Sequence, residues 1–287
     1  MAPFVLYRSA FRLMRDSIGA NRRRGKLFQV EVSAAKRELS PFVRIGTAGW
    51  TIPRAHAHAV VAEGSHLERY AGAMNCVEIN STFYRPHRAK TFERWVATTP
   101  DEFRFAVKLS KAVTHTAKLS RSGGELAAFF ENAKPLGEKL GPVLVQLPPK
   151  LGFEEGTARE FFETLRELHL GNVVVEARNA SWFAPNAGRI LREFEVARAM
   201  ADPPAGSPLA SDTGGWPGVQ YYRLHGSPRK YWSEYPVEFL SELAEKIVAK
   251  KKVETWVIFD NTASNHALGN ALQLRGLLTG AARNGLA

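Results

Sequence analysis

The sequence contains a single cysteine and lacks long apolar runs. Cys76 alone excludes an intramolecular disulfide framework and a sulfur-rich metal site. No window reaches the roughly 18 consecutive apolar residues that a membrane-spanning helix requires. Arg8 and Arg12 interrupt the opening segment before the apolar core of a signal peptide forms. These absences predict a protein of the reducing cytoplasm that has no membrane partner.

The rest of the composition is that of an ordinary globular protein. Of 287 residues, 45% are hydrophobic and 10% aromatic, which is enough to bury a large core and excludes a disordered or fibrous chain.

The basic excess is concentrated at the N-terminus. The formal net charge of +11 suggests an anionic partner such as a nucleic acid. Residues 1–40, however, hold nine basic and three acidic residues, a net charge of +6, which leaves +5 for the other 247 residues. We predict that residues 1–40 are a flexible or partly ordered basic extension, or a mis-assigned start, and that residues 41–287 form the folded domain. The extension also faintly resembles a transit peptide, and its arginines at 22–24 could contact a phosphate backbone or a membrane surface.

From residue 41 onward, short runs rich in Val, Ile and Phe alternate with amphipathic stretches. This alternation predicts repeated strand-helix units around a parallel sheet. The eight predicted strands are 42–47, 76–80, 103–109, 142–147, 172–177, 195–202, 219–224 and 254–260. Helices are predicted around 66–73, 89–98, 126–133, 157–168, 186–193, 240–248 and 265–278.

Eight such units in about 247 residues predict a single (β/α)8 barrel of the TIM type. Only the sixth strand lacks a following helix, because residues 203–218 form a loop rich in Pro and Gly. A doubly wound open sheet is the alternative fold. It usually carries a phosphate-binding GxGxxG after its first strand, where this chain has GTAGW.

Polar residues cluster where the predicted strands end, and barrel enzymes place their sites at that end of the strands. Residues two apart in a strand share one face, so pairs such as Glu78 with Asn80 point into one mouth. The strand-end residues are Glu78, Asn80, Lys108, Ser110, Gln146, Glu176, Arg178, Asp202, Arg223, His225, Asp260 and Asn261.

Seven ordered segments resemble the DUF72 or YecE-like family. They are GTAGW (46–50), VEINSTFYR (77–85), FRFAVKLSKAVTH (103–115), LGPVLVQLPP (140–149), VEARNASWF (175–183), YRLHG (222–226) and FDNTASNHALGNALQL (259–274). The resemblance covers about residues 44–279. It implies a TIM barrel and supplies no chemistry. Segments 51–70 and 203–218 depart from the family pattern, so no role is carried over to them.

We interpret the mouth first as the active site of an enzyme, a hydrolase, isomerase or lyase, that acts on a small anionic or sugar-like substrate without a cofactor. The catalytic candidates are Glu78, Lys108, Glu176 and His225. A glutamate whose pKa is pushed toward neutrality is the acid or base, and the histidine shuttles protons. Arg223 and Lys108 hold a carboxylate or phosphate. The substrate-binding candidates are Trp50, Asn80, Phe83, Tyr84, Ser110, His115, Gln146, Arg178, Trp182, Arg223, Tyr231, Asp260 and Asn261.

Two other functions stay open. Carboxylates and imidazole on separate strands are also the parts of a divalent-metal site, with Glu78, Glu176, Asp202, His225 and Asp260 as its ligands. Such a site would serve a phosphodiesterase or endonuclease that acts on nucleic acid. The third reading is a barrel that binds a small ligand without converting it. In the plainest case, the charged groups form a structural salt-bridge lattice. The sequence leaves the oligomeric state open.

Overall fold

The computed structural model describes residues 38–250 and 252–280 of the chain. The predicted basic extension, apart from residues 38–40, lies outside the described residues. None of the helices described in the structure combines the length and the apolar character needed to cross a membrane.

The parallel strands form a barrel with eight strand places, as the sequence predicts, and β6 and β7 together occupy the sixth place. The strands are β1 Val43–Thr47, β2 Cys76–Ile79, β3 Arg104–Lys108, β4 Leu140–Gln146, β5 Val173–Glu176, β6 Val196–Arg198, β7 Met200–Asp202, β8 Gly214–Gly215, β9 Val219–Leu224 and β10 Glu254–Phe259. Parallel ladders run β2-β3-β4-β5-β6 and β7-β9-β10-β1. The prediction of an α/β barrel is confirmed, and the open-sheet alternative is wrong.

Side chains close the barrel between β1 and β2. Here the described backbone forms only an isolated bridge between Ala48 and Glu78. The Asn75 side chain accepts from Ile45 N at 2.8 Å and donates to the carbonyl of Val43 at 2.8 Å. Asn75 therefore replaces part of the missing backbone ladder. The Tyr70 hydroxyl adds a second link, because it accepts from Thr47 N at 2.8 Å and donates to the Cys76 carbonyl at 3.1 Å.

The sixth predicted strand forms two short strands, β6 and β7. They are separated at Ala199, whose backbone N–H donates to Val175 at 2.9 Å. The first half pairs with β5 and the second with β9, so this interruption carries the chain from one ladder to the other. Between β7 and β9 the described chain contains no α-helix. It contains a single short turn of helix, Pro208–Ser211, and the two-residue β8 that pairs antiparallel with β6.

The other strands are followed by helices whose apolar faces pack against the barrel. They are α1 His66–Ala73, α2 Ser81–Tyr84, α3 Ala89–Ala97, α4 Gly123–Ala133, α5 Glu155–Leu168, α6 Pro185–Glu193, α7 Val237–Ala249 and α8 His266–Thr279. The short α2 was not predicted. The buried side chains of these helices and the outward faces of the strands form two apolar clusters.

A third cluster fills the barrel itself. Its buried residues are Cys76, Ala106, Leu144, Val174, Ala197, Ala199, Val219, Tyr221, Trp256 and Ile258. Side chains two residues further along a strand point the same way. That step leads from these mostly apolar residues to Glu78, Lys108, Gln146, Glu176, Arg223 and Asp260. The strands thus position a polar layer directly above an apolar plug.

Candidate functional site

The fully buried guanidinium of Arg223 occupies the centre of this polar layer. Its Nε and Nη2 donate to the two carboxylate oxygens of Glu78 at 3.0 and 2.7 Å, and Nη1 donates to Glu176. Nη2 also contacts Asp260 at 3.2 Å. Arg223 therefore pairs with three carboxylates, from β2, from β5 and from the segment after β10. The assignment of Arg223 as an anion-binding group stays a prediction, and these internal hydrogen bonds engage donors that such a role would need.

Neutral and cationic side chains complete the bonding of these carboxylates. The Tyr221 hydroxyl donates to Glu78 at 2.8 Å, and Gln146 Nε2 donates to Glu176 at 3.1 Å. Arg178 Nε donates to the other oxygen of Glu176 at 2.7 Å. The network is buried and satisfied on most sides, as a stable interior ion cluster must be.

The expectation that a buried glutamate here gains a neutral pKa is wrong for Glu176. Burial opposes its ionisation, but the charges of Arg223, His225 and Arg178 outweigh burial and hold its pKa well below the usual range. The pKa of Asp260 is lowered in the same way, against burial, by Arg223 and His225. Conversely, the carboxylates outweigh burial at Arg223 and raise its pKa. Both carboxylates are therefore ionised at neutral pH and are poor proton carriers.

His225 is buried between two of these carboxylates. Its Nδ1 lies 3.0 Å from Asp260 Oδ2, and its Nε2 lies 3.5 Å from Glu176 Oε1. The ring is thus fixed in orientation, and the edge of Tyr231 covers it with ring centroids 5.6 Å apart.

The predicted metal ligands do not fit a metal ion. Glu78, Glu176 and Asp260 surround Arg223, so a cation already stands where their oxygens converge. Asp202 is engaged elsewhere, because Tyr235 donates to its carboxylate at 2.7 Å. Across residues 38–250 and 252–280, no group of three or more His, Cys, Asp or Glu side chains is arranged to hold a metal.

Lys108 differs from the other charged groups of the layer. It ends β3 and is only 7% exposed, and its Nζ stands 4.2 Å from the ring centroid of Phe83. Among the described residues, Nζ makes no hydrogen bond and no ion pair, since the nearby carboxylates are held by Arg223. Burial and the positive charge of Arg223 lower the Lys108 pKa to about 8, partly offset by Glu78, Glu176 and Asp260.

Short helix α2 supplies the apolar wall beside Lys108. Thr82 Oγ1 contacts the carbonyls of Ile79 at 2.9 Å and of Lys108 at 2.6 Å, which ties the ends of β2 and β3 together. This link fixes Phe83 against the amine. His115 packs edge to face on the same ring at 5.0 Å, and burial together with the charges of Lys108 and Arg178 lowers its pKa.

A cleft of about 480 Å³ lies beside Phe83. It runs between the segment after β2 and helix α4, and its lining includes Tyr84 and Ser110, both predicted to bind substrate. Tyr84 is exposed and packs edge to face on Phe83 at 5.0 Å. Trp50, in contrast, packs edge to face on Trp95 of α3 at 5.0 Å.

A cationic rim follows β5 and β9. Arg178 binds Glu176 through Nε, whereas its buried Nη2 has no partner in the described chain. Burial and the charge of Arg178 lower the pKa of Lys230, and burial and the charge of Asp260 raise the pKa of Tyr231. Arg178 Nη2 is thus a donor that the carboxylate network leaves without a partner in the described chain, and it lies at a rim that also carries Lys230.

Two predicted residues lie away from the mouth centre. Trp182, expected to stack on substrate, is buried in the core outside the barrel, where its indole N–H donates to the Leu151 carbonyl at 3.1 Å. It turns there because residues 180–183 form a tight helical turn after β5. Asp202 contacts Tyr235 in place of the charged layer.

Sequence reasoning missed Tyr221 and Lys230. The first had a usable signal, because it stands two residues before Arg223 in β9 and therefore faces the same side. The second lies in a loop, whose path has no periodic signal. In the described chain, two buried side-chain oxygens that follow strand ends, Asn80 Oδ1 and Asn261 Oδ1, accept no hydrogen bond. The Asn261 amide donates to the Ser233 carbonyl at 3.0 Å, so this side chain also supports the loop.

A family model described as "Protein of unknown function DUF72" matches residues 44–285. The chain belongs to the DUF72 family. The family resemblance in the sequence is thereby confirmed. Among curated DUF72 relatives, the UPF0759 protein YecE of Escherichia coli K12 is 31% identical over 144 residues, half of each chain. The UPF0759 protein YunF of Bacillus subtilis 168 is 28% identical over 158 residues, 50% of this chain and 53% of YunF. The chain thus spans about half the length of the curated relatives it matches.

Solved DUF72 structures share the fold. A DUF72 family protein of Thermotoga maritima MSB8 has a TM-score of 0.67 at 25% identity, and the alignment covers 82% of this chain and 98% of the Thermotoga chain. A DUF72 family protein of Enterococcus faecalis V583 has a TM-score of 0.70 at 22% identity, over 82% of this chain and 95% of its own.

Proposed function

We propose that the mouth of this DUF72 barrel is the active site of an enzyme that acts on a small anionic, sugar-like substrate by acid–base chemistry, with Lys108 as the proton-transferring group. One observation carries the proposal. The Lys108 amine is buried at a strand end, is unpaired within the described chain, and has a pKa of about 8. A base with a pKa near the working pH is the most efficient general acid–base catalyst.

The other groups are assigned by what the geometry leaves available. The Arg178 Nη2 donor binds the anionic group of the substrate, supported by Lys230. The free oxygens of Asn80 and Asn261 accept hydrogen bonds from hydroxyls. Glu78 and Glu176 act as positioning residues that hold Arg223 and Arg178 in place, and His225 fixes Asp260. Phe83 packs against one side of the amine.

The test is a thermal-shift screen followed by a turnover assay. The ligands are inorganic phosphate, sugar phosphates and 2-oxo acids, each compared with an uncharged sugar. We expect anionic ligands to stabilise the protein and Arg178→Met to weaken their binding at least about tenfold, the effect of losing a charge-assisted hydrogen bond. Arg159→Met is the matched control, because Arg159 pairs with Glu193 on the surface.

The outcomes separate the acid–base enzyme from the non-catalytic binding barrel. Binding that depends on Arg178, with conversion lost in Lys108→Met, supports the enzyme. Stabilisation by a ligand that is never converted supports a non-catalytic binding barrel. No stabilisation by any anion, or equal binding in Arg178→Met, overturns the proposal.

A further inference from the structure

The chain contains two buried lysines with opposite environments. Lys139 Nζ donates to the carbonyls of Val96 and Thr99 at 2.9 and 2.7 Å, and contacts Thr99 Oγ1 at 3.3 Å. Three acceptors match the three protons of an ammonium group, so Lys139 is a structural cation. Lys108 is equally buried, yet its Nζ has no acceptor in the described part of the chain.

The surroundings of Lys108 disfavour its charged form and leave Nζ without an acceptor in the described part of the chain. The Phe83 ring covers one side, and the guanidinium of Arg223 lies within the same layer. The facing carboxylates of Glu78, Glu176 and Asp260 are directed at Arg223. A buried lysine next to another cation is the arrangement in which an amine acts as a nucleophile toward carbonyl groups.

We propose that Lys108 forms a Schiff base with a small aldehyde or ketone that carries an anionic group. This inference rests on the proposed function, names the substrate class of the same site, and makes the Lys108 amine a nucleophile in place of the proton-transferring group. Arg178 Nη2 would bind the anionic group, and the free oxygens of Asn80 and Asn261 would accept the hydroxyls of a sugar-like chain.

Formation of the Schiff base changes no oxidation state and therefore requires no oxidant or reductant. The neutral Nζ lone pair attacks the carbonyl carbon, the C=O π bond breaks, and a proton moves from nitrogen to oxygen to give a carbinolamine. One proton from solvent then lets water leave, and the product is a protonated imine between the substrate carbon and Nζ. Hydrolysis reverses the same bonds and returns the free amine.

The test traps this imine on the full-length protein. The protein is incubated near neutral pH with sodium cyanoborohydride and one of four probes: glyceraldehyde 3-phosphate, glyoxylate, uncharged glyceraldehyde or acetaldehyde. Peptide mapping by mass spectrometry gives the rate of adduct formation at each lysine. Lys150 is the exposed control and Lys139 the buried one.

We expect Lys108 to be labelled more than about tenfold faster than Lys150, because a larger fraction of its amine is neutral at this pH. Labelling should rise with pH through about 8, and the anionic probes should react faster than the uncharged ones. Lys139 should remain unlabelled. In Lys108→Arg, only the slow surface labelling should persist.

The results distinguish this inference from the proposed function. Labelling of Lys108 no faster than that of Lys150 with all four probes overturns the Schiff base. If anions still stabilise the protein through Arg178 in that case, the proposed acid–base enzyme stands. Fast labelling of Lys108 without preference for anionic probes supports the nucleophile and contradicts the assigned anion site.

Discussion

Arg223 and Glu78 form a two-point ion pair inside the barrel, with Nε 3.0 Å from Oε2 and Nη2 2.7 Å from Oε1. Both side chains are fully buried. Since Arg223 also holds Glu176 and Asp260, it links β2, β5, β9 and the segment after β10. The pair is therefore the structural centre of the mouth, and the groups it leaves unpaired determine where chemistry takes place.

Removing the central cation should destabilise the fold strongly. Arg223→Met leaves three buried carboxylates without their main partner, and breaking a buried ion pair costs about 3–5 kcal/mol. Urea denaturation measures the free energy of unfolding. Arg159→Met, which removes an exposed pair with Glu193, should cost at most about 1 kcal/mol. Equal losses in the two variants would contradict the central role of Arg223.

Replacing the two buried lysines, Lys108 and Lys139, should change the free energy of unfolding in opposite directions. The folded-state pKa of Lys108 is about 8, below the unfolded value of about 10.4. The ammonium form of Lys108 is therefore less favourable in the folded state than in the unfolded state, and Lys108→Met should raise the free energy of unfolding by up to about 3 kcal/mol. Lys139→Met leaves the Val96 and Thr99 carbonyls without a donor and should lower it by about 1–3 kcal/mol. A loss of stability in Lys108→Met would mean that the amine is paired.

Acid should destabilise the protein through Glu176. Its folded-state pKa is lowered, so its contribution to stability is present above the unfolded pKa of about 4.3 and is lost as the pH falls through the folded value. Denaturation at a series of pH values should show a decrease in stability below about pH 4.3 that is shallower in Glu176→Gln. The exposed Glu131→Gln should keep the wild-type slope. Parallel curves for wild type and Glu176→Gln would contradict this assignment.

Glycine at position 46 is required where β1 meets β2. A Cβ there would lie 2.1 Å from the Cys76 carbonyl oxygen, at the seam that Asn75 and Tyr70 close. Gly46→Ala should lower the free energy of unfolding by at least about 1–3 kcal/mol. In helix α4, Gly124 has open space around its Cβ position, so Gly124→Ala should stabilise by about 0.5–1 kcal/mol. A neutral Gly46→Ala would show that the seam adapts.

Periodicity made the barrel and the polar layer predictable. Runs such as VVVE in β5 mark strands buried on both faces, and the two-residue period places Glu78, Lys108 and Glu176 on one inner face. The set of charged residues that meet in this layer follows from the same rule, because each of them lies at or just after the end of a barrel strand.

Partner choice was not predictable, because it depends on distances that a one-dimensional pattern does not contain. From the sequence alone, either Lys108 or Arg223 could pair with the carboxylates. In the structure, Glu78, Glu176 and Asp260 all pair with Arg223. Trp182 was misassigned because the direction of a short turn after a strand is set by packing. Lys230 was missed for a related reason, since it lies in a loop without periodicity.

The acid–base function and the Schiff base both depend on the ionisation of the Lys108 amine. In protein labelled with ¹³C at lysine Cε, the Cε resonance that disappears in Lys108→Arg is followed by NMR as the pH is raised. We expect a titration midpoint near pH 8, because burial and Arg223 disfavour the ammonium form. A midpoint close to the ordinary value of about 10.4 would contradict this expectation, because almost none of the amine would then be neutral and reactive at neutral pH.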